Sequence, residues 1–431
     1  MESEKDEQRS INKGISAASK DAKLELLPEI TQLAEEILAD AKKQSGEINR
    51  RPSHPVAHRT VKTPSTAKAD VPPRFKAHSK RRTGQIVWLS LLGVVLTGMI
   101  VFFVYETAVI LNIFGAVNYE TNGLSFEDTE LYVSESAIRI HVSHSDETKN
   151  ILLVGCDIDE NGLSRSDSMI ILSLDHTHRK IKMTSLMRDM YLQIPSHGKH
   201  KLNAAYTYGG GELLLTTIYA NFGIKIDRYV CVDYAAFAAA VDYIGGIEIE
   251  IEEMELEQFN KYVRGKENRI DCAGTYAMNG QQALSYCRIR KVGTDTARTA
   301  RQREVLTKIM EKCRRMSPVS AENMMRVIAP SLTTNFTPGE MLQMMFEGLD
   351  CMDYSTVGMR IPVDGTWGDK TIDNIWYMEF DLNSNARSLN TFIYGDDETI
   401  AAMTSSLEEH DSQNDAWERS RYEKKKQRAA G

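Results

Sequence analysis

None of the six cysteines in this 431-residue chain falls into a C-x-x-C or other metal-ligand spacing, which excludes a zinc ribbon or finger. No segment repeats along the chain, which excludes a solenoid or propeller. Proline is scarce, eleven in all, yet five of these (Pro52, Pro55, Pro64, Pro72 and Pro73) crowd into residues 41–82. That stretch is almost devoid of apolar side chains and sets twelve Lys or Arg against two acids, Glu47 and Asp70, so it is expected to be disordered. It is also short of aromatics, and it lies beside an apolar run. Both features suit anionic lipid headgroups better than nucleic acid, and no nucleic-acid partner is expected. The net charge of -8 hides this asymmetry, since the rest of the chain is acidic on balance.

Charge is missing altogether from Gln85 to Tyr105, QIVWLSLLGVVLTGMIVFFVY. The run is long enough for a hydrocarbon core of roughly 30 Å, and Trp88 and Tyr105 sit near its ends, so it predicts one transmembrane helix. A cleaved signal peptide is the competing reading, opposed by the long region preceding it and by the length of the run itself. The positive flank, His78-Ser-Lys-Arg-Arg82, is expected to stay in the cytoplasm, leaving everything after Glu106 outside a cell membrane crossed once. The expected organisation is a cytoplasmic region 1–84, a membrane helix 85–105, a connector 106–148, a catalytic domain 149–400 and a charged tail 401–431, either frayed helix or coil. Within the first region Ile30, Leu33, Ile37 and Leu38 share one face of a helix over Pro28 to Lys43. That face suits self-association or a cytoplasmic protein partner. Among the cysteines, buried thiols are expected for Cys231 and Cys313, and a disulfide is permitted but not required.

Asn150 to Val154, Ser168 to Leu174 and Ile181 to Leu186 read as three strands on loops short enough to make them antiparallel. One edge of that sheet then gathers Asp157, Asp167 with Arg165, and Arg188 with Asp189. Helical patterns at Asn203–Tyr208, Glu212–Phe222 and Tyr234–Ile244 alternate with strands at Tyr229–Val232 and Ile247–Ile251, the signature of a mixed α/β sheet covered by helices. Further helices are expected near 321–328, 338–349 and 386–394, with a strand at Val357–Ile361 and a hairpin through Asp364-Gly365.

Between Tyr286 and Arg303 the chain carries Arg288, Arg290, Lys291, Arg298, Arg301 and Arg303 around one carboxylate, Asp295. Val305, Leu306, Ile309, Met310 and Cys313 predict a helix over Thr299 to Met316. Arg298 and Arg301 extend its buried stripe backwards, where the helix dipole disfavours a cation by up to about 1 kcal/mol. A phosphate held by guanidinium forks would offset them; a solvated basic face is the alternative. Asp157 and Asp167 could chelate a hard divalent cation such as Mg2+, or simply be turn residues.

Six blocks resemble, in order and spacing, the LytR-CpsA-Psr family: Asn150-Ile-Leu-Leu-Val-Gly-Cys-Asp157, Arg165-Ser-Asp-Ser-Met169, Ser185-Leu-Met-Arg-Asp189, Lys201-Leu-Asn-Ala-Ala-Tyr206 with Gly209-Gly210, Val241-Asp-Tyr-Ile-Gly-Gly246, and Gly280 to Lys291 followed by Asp295, Arg298 and Arg301-Gln302-Arg303. The resemblance implies an α-β-α sandwich and a membrane-anchored phosphotransferase that moves a glycopolymer from a polyprenyl diphosphate carrier to a hydroxyl of peptidoglycan. It implies Asp157 and Asp167 as Mg2+ carboxylates, Arg165, Arg188, Arg288, Arg290, Arg298 and Gln302 as a diphosphate clamp joined by Lys201, and Asp295 as the base that takes or orients the attacking hydroxyl. Hemmed by cations, Asp295 is a poor base by acidity alone, so orienting the hydroxyl is the larger expected role. Asp159 and Met187 stand where the family commonly has Arg and Pro, which puts loop shape and acceptor preference in question. The small-residue helix Tyr234 to Val241 could wall a lipid groove or be close-packed core. Two other functions remain open: a non-catalytic lipid-diphosphate binder or envelope regulator, and a hydrolase that gives the same bond to water.

Overall fold

The structure, a computed structural model, describes residues 107–120, 145, 147–158, 164–290 and 295–430. The basic arm, the helix expected at 28–43 and the apolar run 85–105 lie outside the described residues. Among the described residues no helix is long and apolar enough to cross a membrane.

A short helix over 107–114 leads to β1 (Asn118–Tyr119). Then come β2 (Thr148–Ile158), β3 (Ser164–Asp175), β4 (Lys180–Leu186) and a small pair, β5 (Tyr191–Ile194) and β6 (Gly198–Lys201). Helix α1 (Leu202–Phe222), β7 (Arg228–Asp233), α2 (Tyr234–Tyr243), β8 (Ile247–Ile251), α3 (Glu253–Tyr262), β9 (Gly274–Met278), α4 (Gly280–Cys287) and α5 (Asp295–Cys313) follow. The chain continues through α6 (Pro318–Ile328), β10 (Leu332–Thr334), α7 (Pro338–Asp350), β11 (Ser355–Ile361), β12 (Trp367–Ile372), β13 (Ile375–Phe380), α8 (Leu382–Tyr394) and α9 (Asp397–Ala430).

The main sheet has the order β1-β10-β7-β2-β3-β4-β11. Strands β2, β3 and β4 are antiparallel, as their short connections require, while β7 runs parallel to β2 and β11 parallel to β4. The sheet is therefore mixed, as expected. Alternate side chains along a strand face opposite layers. Leu152, Val154 and Cys156 pack with Ile218 and Phe222 of α1 and Phe392 of α8. Leu153, Gly155, Ser168 and Ile170 face Phe237, Leu284 and Leu306 of α2, α4 and α5. A second core joins β8 and β9 to α3 through Ile249, Phe259 and Met278.

Two family-like blocks meet in this second layer. A Cβ on Gly280 would overlap the Ala238 carbonyl oxygen, so only glycine lets α4 cross α2 there. The Gly280 N–H then donates to Asp242 Oδ1 at 2.7 Å. In α1 the two expected helices are one element, kinked where Gly209 and Gly210 leave helical geometry, Gly210 with φ of 64°.

The structure corrects several expectations. The hairpin near the C-terminus does not turn at Asp364-Gly365; β12 and β13 pair around Asp373 and Asn374, both at positive φ, the conformation that a tight hairpin demands and Asn and Asp tolerate. Asp364 instead forms an ion pair with the buried Arg360. Cys231 is not a thiol: it is joined to Cys156 across the adjacent strands β7 and β2, with Cα atoms 6.5 Å apart. Cys313 is a free thiol, as expected, but half-buried and not buried. The charged end is a continuous helix, and Arg419 and Lys426 on it bind Glu252 and Glu253 at the start of α3.

Candidate active site at the bulge of strand β3

Gly155 pairs with Ser168 and Cys156 with Ser166, which leaves Asp167 as the extra residue of a β-bulge on β3. A bulge breaks the alternation of side chains and re-aims the residue it carries. Asp167 Oδ1 accepts a hydrogen bond from Arg188 Nη1 at 2.5 Å, and Oδ2 accepts one from the Tyr234 hydroxyl at 3.1 Å. Arg188 follows β4 and also donates Nε to Asp189 Oδ2 at 3.2 Å, while Asp189 Oδ1 accepts from Lys201 Nζ at 2.6 Å. Of the group expected at this edge, Asp167, Arg188 and Asp189 come together as the antiparallel reading predicts. Lys201 joins through Asp189.

Burial alone would raise the pKa of Asp167, but the charge and hydrogen bond of Arg188, the Tyr234 hydrogen bond and the charge of Arg290 together outweigh it and hold the carboxyl below its usual range. Arg290 is exposed and acts on Asp167 from the loop after α4. Arg288 sits at the C-terminal end of α4, where the helix dipole favours a cation, with its guanidinium carbon 4.3 Å from the centre of the Tyr234 ring. Beneath these groups is a cavity of about 180 Å³. Leu153, Ile170, Val232, Phe237, Leu284 and Leu306 make its walls apolar, and Arg288, Gln302 and Ser168 make its polar side. Ser168 Oγ donates to Gln302 Oε1 at 3.2 Å. In α2 the small residues Ala236 and Ala238 are buried with Val241, which is the close-packed reading, whereas the α2 side chains that line the cavity are the aromatic Tyr234 and Phe237.

Arg298 and Arg301 are both buried, at 3 % and 7 % exposure, as their stripe predicts. Their compensation is only partly what charge counting suggests. Arg301 Nε pairs with Glu255 at 2.7 Å and its Nη1 donates to the Ile289 carbonyl, so this cation is held by an acid 46 residues earlier and needs no phosphate. Arg303 Nη1 donates to Ser185 Oγ at 2.9 Å. The side chains of Asp157, Arg165 and Asp295 lie outside the described residues. By backbone, Asp157 pairs with Arg165 just beyond the bulge, and Asp295 opens α5. The role of Tyr234 is not visible from the sequence, because its contacts with Asp167 and Arg288 depend on β7 lying beside β2.

The LytR_cpsA_psr family model matches residues 115–392. Over 248 residues the chain is 31 % identical to the polyisoprenyl-teichoic acid--peptidoglycan teichoic acid transferase TagU of Bacillus cereus, covering 57 % of this chain and 77 % of that one. It is 35 % identical over 160 residues to the regulatory protein MsrR of Staphylococcus aureus, covering 36 % of this chain and 46 % of MsrR. The teichoic acid transferase TagT of Bacillus subtilis is 33 % identical over 178 residues, covering 40 % of this chain and 55 % of TagT. The chain thus spans about half the length of MsrR and TagT. A solved structure, TagT bound to LIIa-WTA, shares the fold with a TM-score of 0.50 at 24 % identity, covering 60 % of this chain and 95 % of that chain. With the family match running through every element that frames Asp167, from β2 to α5, the chain belongs to the LytR-CpsA-Psr family.

Proposed function

We propose that this protein is a membrane-anchored phosphotransferase that moves a glycopolymer from a polyprenyl diphosphate carrier to a hydroxyl of peptidoglycan, with residues 85–105 as its single membrane span and the described domain outside the cell. One observation carries the reading: the Arg288 guanidinium lies on the polar side of an apolar cavity, and Tyr234 of the same lining bonds Asp167, on which Arg188 and Arg290 act. A ligand that joins an isoprenoid chain to linked phosphates presents that combination of chemistries. The teichoic acid transferase names of TagU and TagT support it. The Cys156–Cys231 disulfide suits an exported domain.

Arg288 and Arg290, with Arg188, Arg298 and Arg165, bind the diphosphate and stabilise charge that builds on its oxygens as the bond to the carrier phosphate breaks. Gln302 and Ser168 fix the mouth. Asp189 positions Arg188 and Lys201. Asp295 orients the acceptor hydroxyl towards the phosphorus. The residues present fit a Mg2+ ion: Asp167 is held ionised, and each of its oxygens accepts one hydrogen bond, which leaves a lone pair on each for a hard cation, with Asp157 close by along the paired strand. Bound there, the ion would add positive charge beside the diphosphate.

The full-length protein in detergent, given a polyprenyl-diphosphate-linked saccharide, Mg2+ and a peptidoglycan fragment, tests this. Saccharide joined to the fragment by a phosphodiester is expected. Free phosphorylated saccharide would instead make it a hydrolase. Tight binding of unchanged substrate would favour a regulator, the role that the name of MsrR carries.

A further inference from the structure

The β12–β13 hairpin is fastened directly to the site. The Met378 N–H donates to the Asp189 carbonyl at 2.9 Å, and Met378 bridges to Met190. Its outer surface carries Trp376, 38 % exposed, with the indole Nε1 donating to Asp369 at 3.1 Å. Lys201 Nζ lies 5.7 Å from the centres of both the Trp376 and Tyr377 rings. That ammonium is the one bound to Asp189, which holds Arg188 against Asp167. Trp376 is therefore linked to the diphosphate cluster through one cation–π contact, to Lys201, and the ion pairs that follow it.

The aromatic surface continues away from Lys201. Tyr377 meets the edge of His200 at 5.9 Å, and His200 meets Tyr208 at 5.9 Å. Tyr208, 45 % exposed, stacks on His197 at 4.9 Å and 11°. It stands immediately before the glycine kink of α1. Tyr377 is buried, so it supports the strip while Trp376 and Tyr208 present their rings to solvent.

Exposing two large rings forgoes the burial that ordinarily keeps such residues inside. The negative face of an aromatic ring attracts the weakly positive C–H face of a pyranose, and neighbouring carboxylates and ammoniums take the sugar hydroxyls. Here Asp369 flanks the Trp376 ring, and Lys370 pairs with Glu379 on the Tyr377 side of the hairpin. Alternating charge around isolated rings does not suit a lipid chain, which needs a continuous apolar floor.

We propose that Trp376, with Tyr208 as a second platform further along the strip, forms a saccharide subsite in which pyranose rings stack, beside the reacting phosphate and bridged to it by Lys201. This rests on the transfer reaction proposed above. Either saccharide in that reaction has the right chemistry: the sugar of the carrier-linked donor, or the peptidoglycan acceptor.

The test is steady-state kinetics on the full-length protein, with donor and acceptor varied separately, for Trp376→Ala, Tyr208→Ala and Trp376→Phe. Each alanine variant is expected to raise KM for one saccharide by roughly tenfold with kcat nearly unchanged, and phenylalanine to restore most of it. Whichever KM moves names the source of the sugar. Binding of a lipid-free donor saccharide and of a peptidoglycan fragment, followed by saturation-transfer NMR, gives a readout that does not need turnover. Signals lost in Trp376→Ala but present in an otherwise inactive wild type would keep the subsite and remove the transferase reading. No saccharide signal in the wild type, or both KM values unchanged in both alanine variants, would overturn the subsite.

Discussion

Strands β3 and β4 end in an ion pair at each end of their ladder, and the two pairs serve opposite purposes. At one end Lys182 and Asp175, with side chains 0 % and 2 % exposed, lie 2.6 Å apart. The lysine also donates to the Ile393 carbonyl, and Asp175 takes the backbone N–H and the ring of His178. Every polar atom there has a partner inside the fold. At the other end Arg188 and Asp167 are 20 % and 26 % exposed, and Asp167 is the extra residue of a bulge, bonded to the Tyr234 that lines the cavity. Regular pairing closes one end for stability; one extra residue opens the other for a ligand. An ion pair is structural when the protein satisfies it wholly and functional when part of its field is left for something else.

The sharpest way to break the comparison is to remove one cation from each end. Lys182→Met strands a buried carboxylate and is expected to cost about 3–5 kcal/mol of stability in denaturant unfolding, with activity kept by the molecules still folded. Pairing it with Asp175→Leu should recover most of that loss; no recovery would show that the lysine acts by packing. At the open end, Arg290→Ala is expected to lower turnover roughly 10²- to 10³-fold with an unfolding midpoint close to the parent, because Arg290 is exposed and its charge acts on the site. A variant that keeps near-parent turnover would remove the clamp.

Acid separates the ends more gently. Burial opposes ionisation of Asp175, but Lys182 and His178 hold its carboxyl below the usual range. Its contribution to stability is present above the unfolded carboxylate value of about 3.9 and is lost as pH falls through the lower folded value. Lys182→Met leaves burial to push that carboxyl up, so the destabilisation it causes should shrink as pH falls and the stranded carboxylate is protonated. Tyr234→Phe removes one of the hydrogen bonds that keep Asp167 ionised. The acid limb of turnover should shift upward by a fraction of a pH unit, with the neutral rate falling only a few-fold; an unmoved limb would mean that Asp167 does not govern it. The smallest effect is chemical: thiol titration of the denatured, unreduced protein should find Cys272, Cys287, Cys313 and Cys351 alone.

Much of the site was legible because it is local. Strand lengths and short loops placed Asp167, Arg188 and Asp189 at one edge, and helical spacing placed Arg298 and Arg301 inside. What failed to show was pairing at a distance. Glu255, the partner of Arg301, lies in a separate helix, and no periodicity connects the two. The Cys156–Cys231 link depends on β7 inserting beside β2, a parallel neighbour that sequence order does not reveal. The hairpin of β12 and β13 was misplaced because Asp364-Gly365 and Asp373-Asn374 are both good turn sequences, and only the ladder from Trp367 to Phe380 chooses between them.

The sequence by itself settled which residues could be strand, helix and cation, since side-chain period and charge are properties of neighbours along the chain. Tertiary structure decided which charges are spent on the fold and which face a ligand. That distinction depends on desolvation and on partners brought in from far along the chain, and both exist only once the layers have closed.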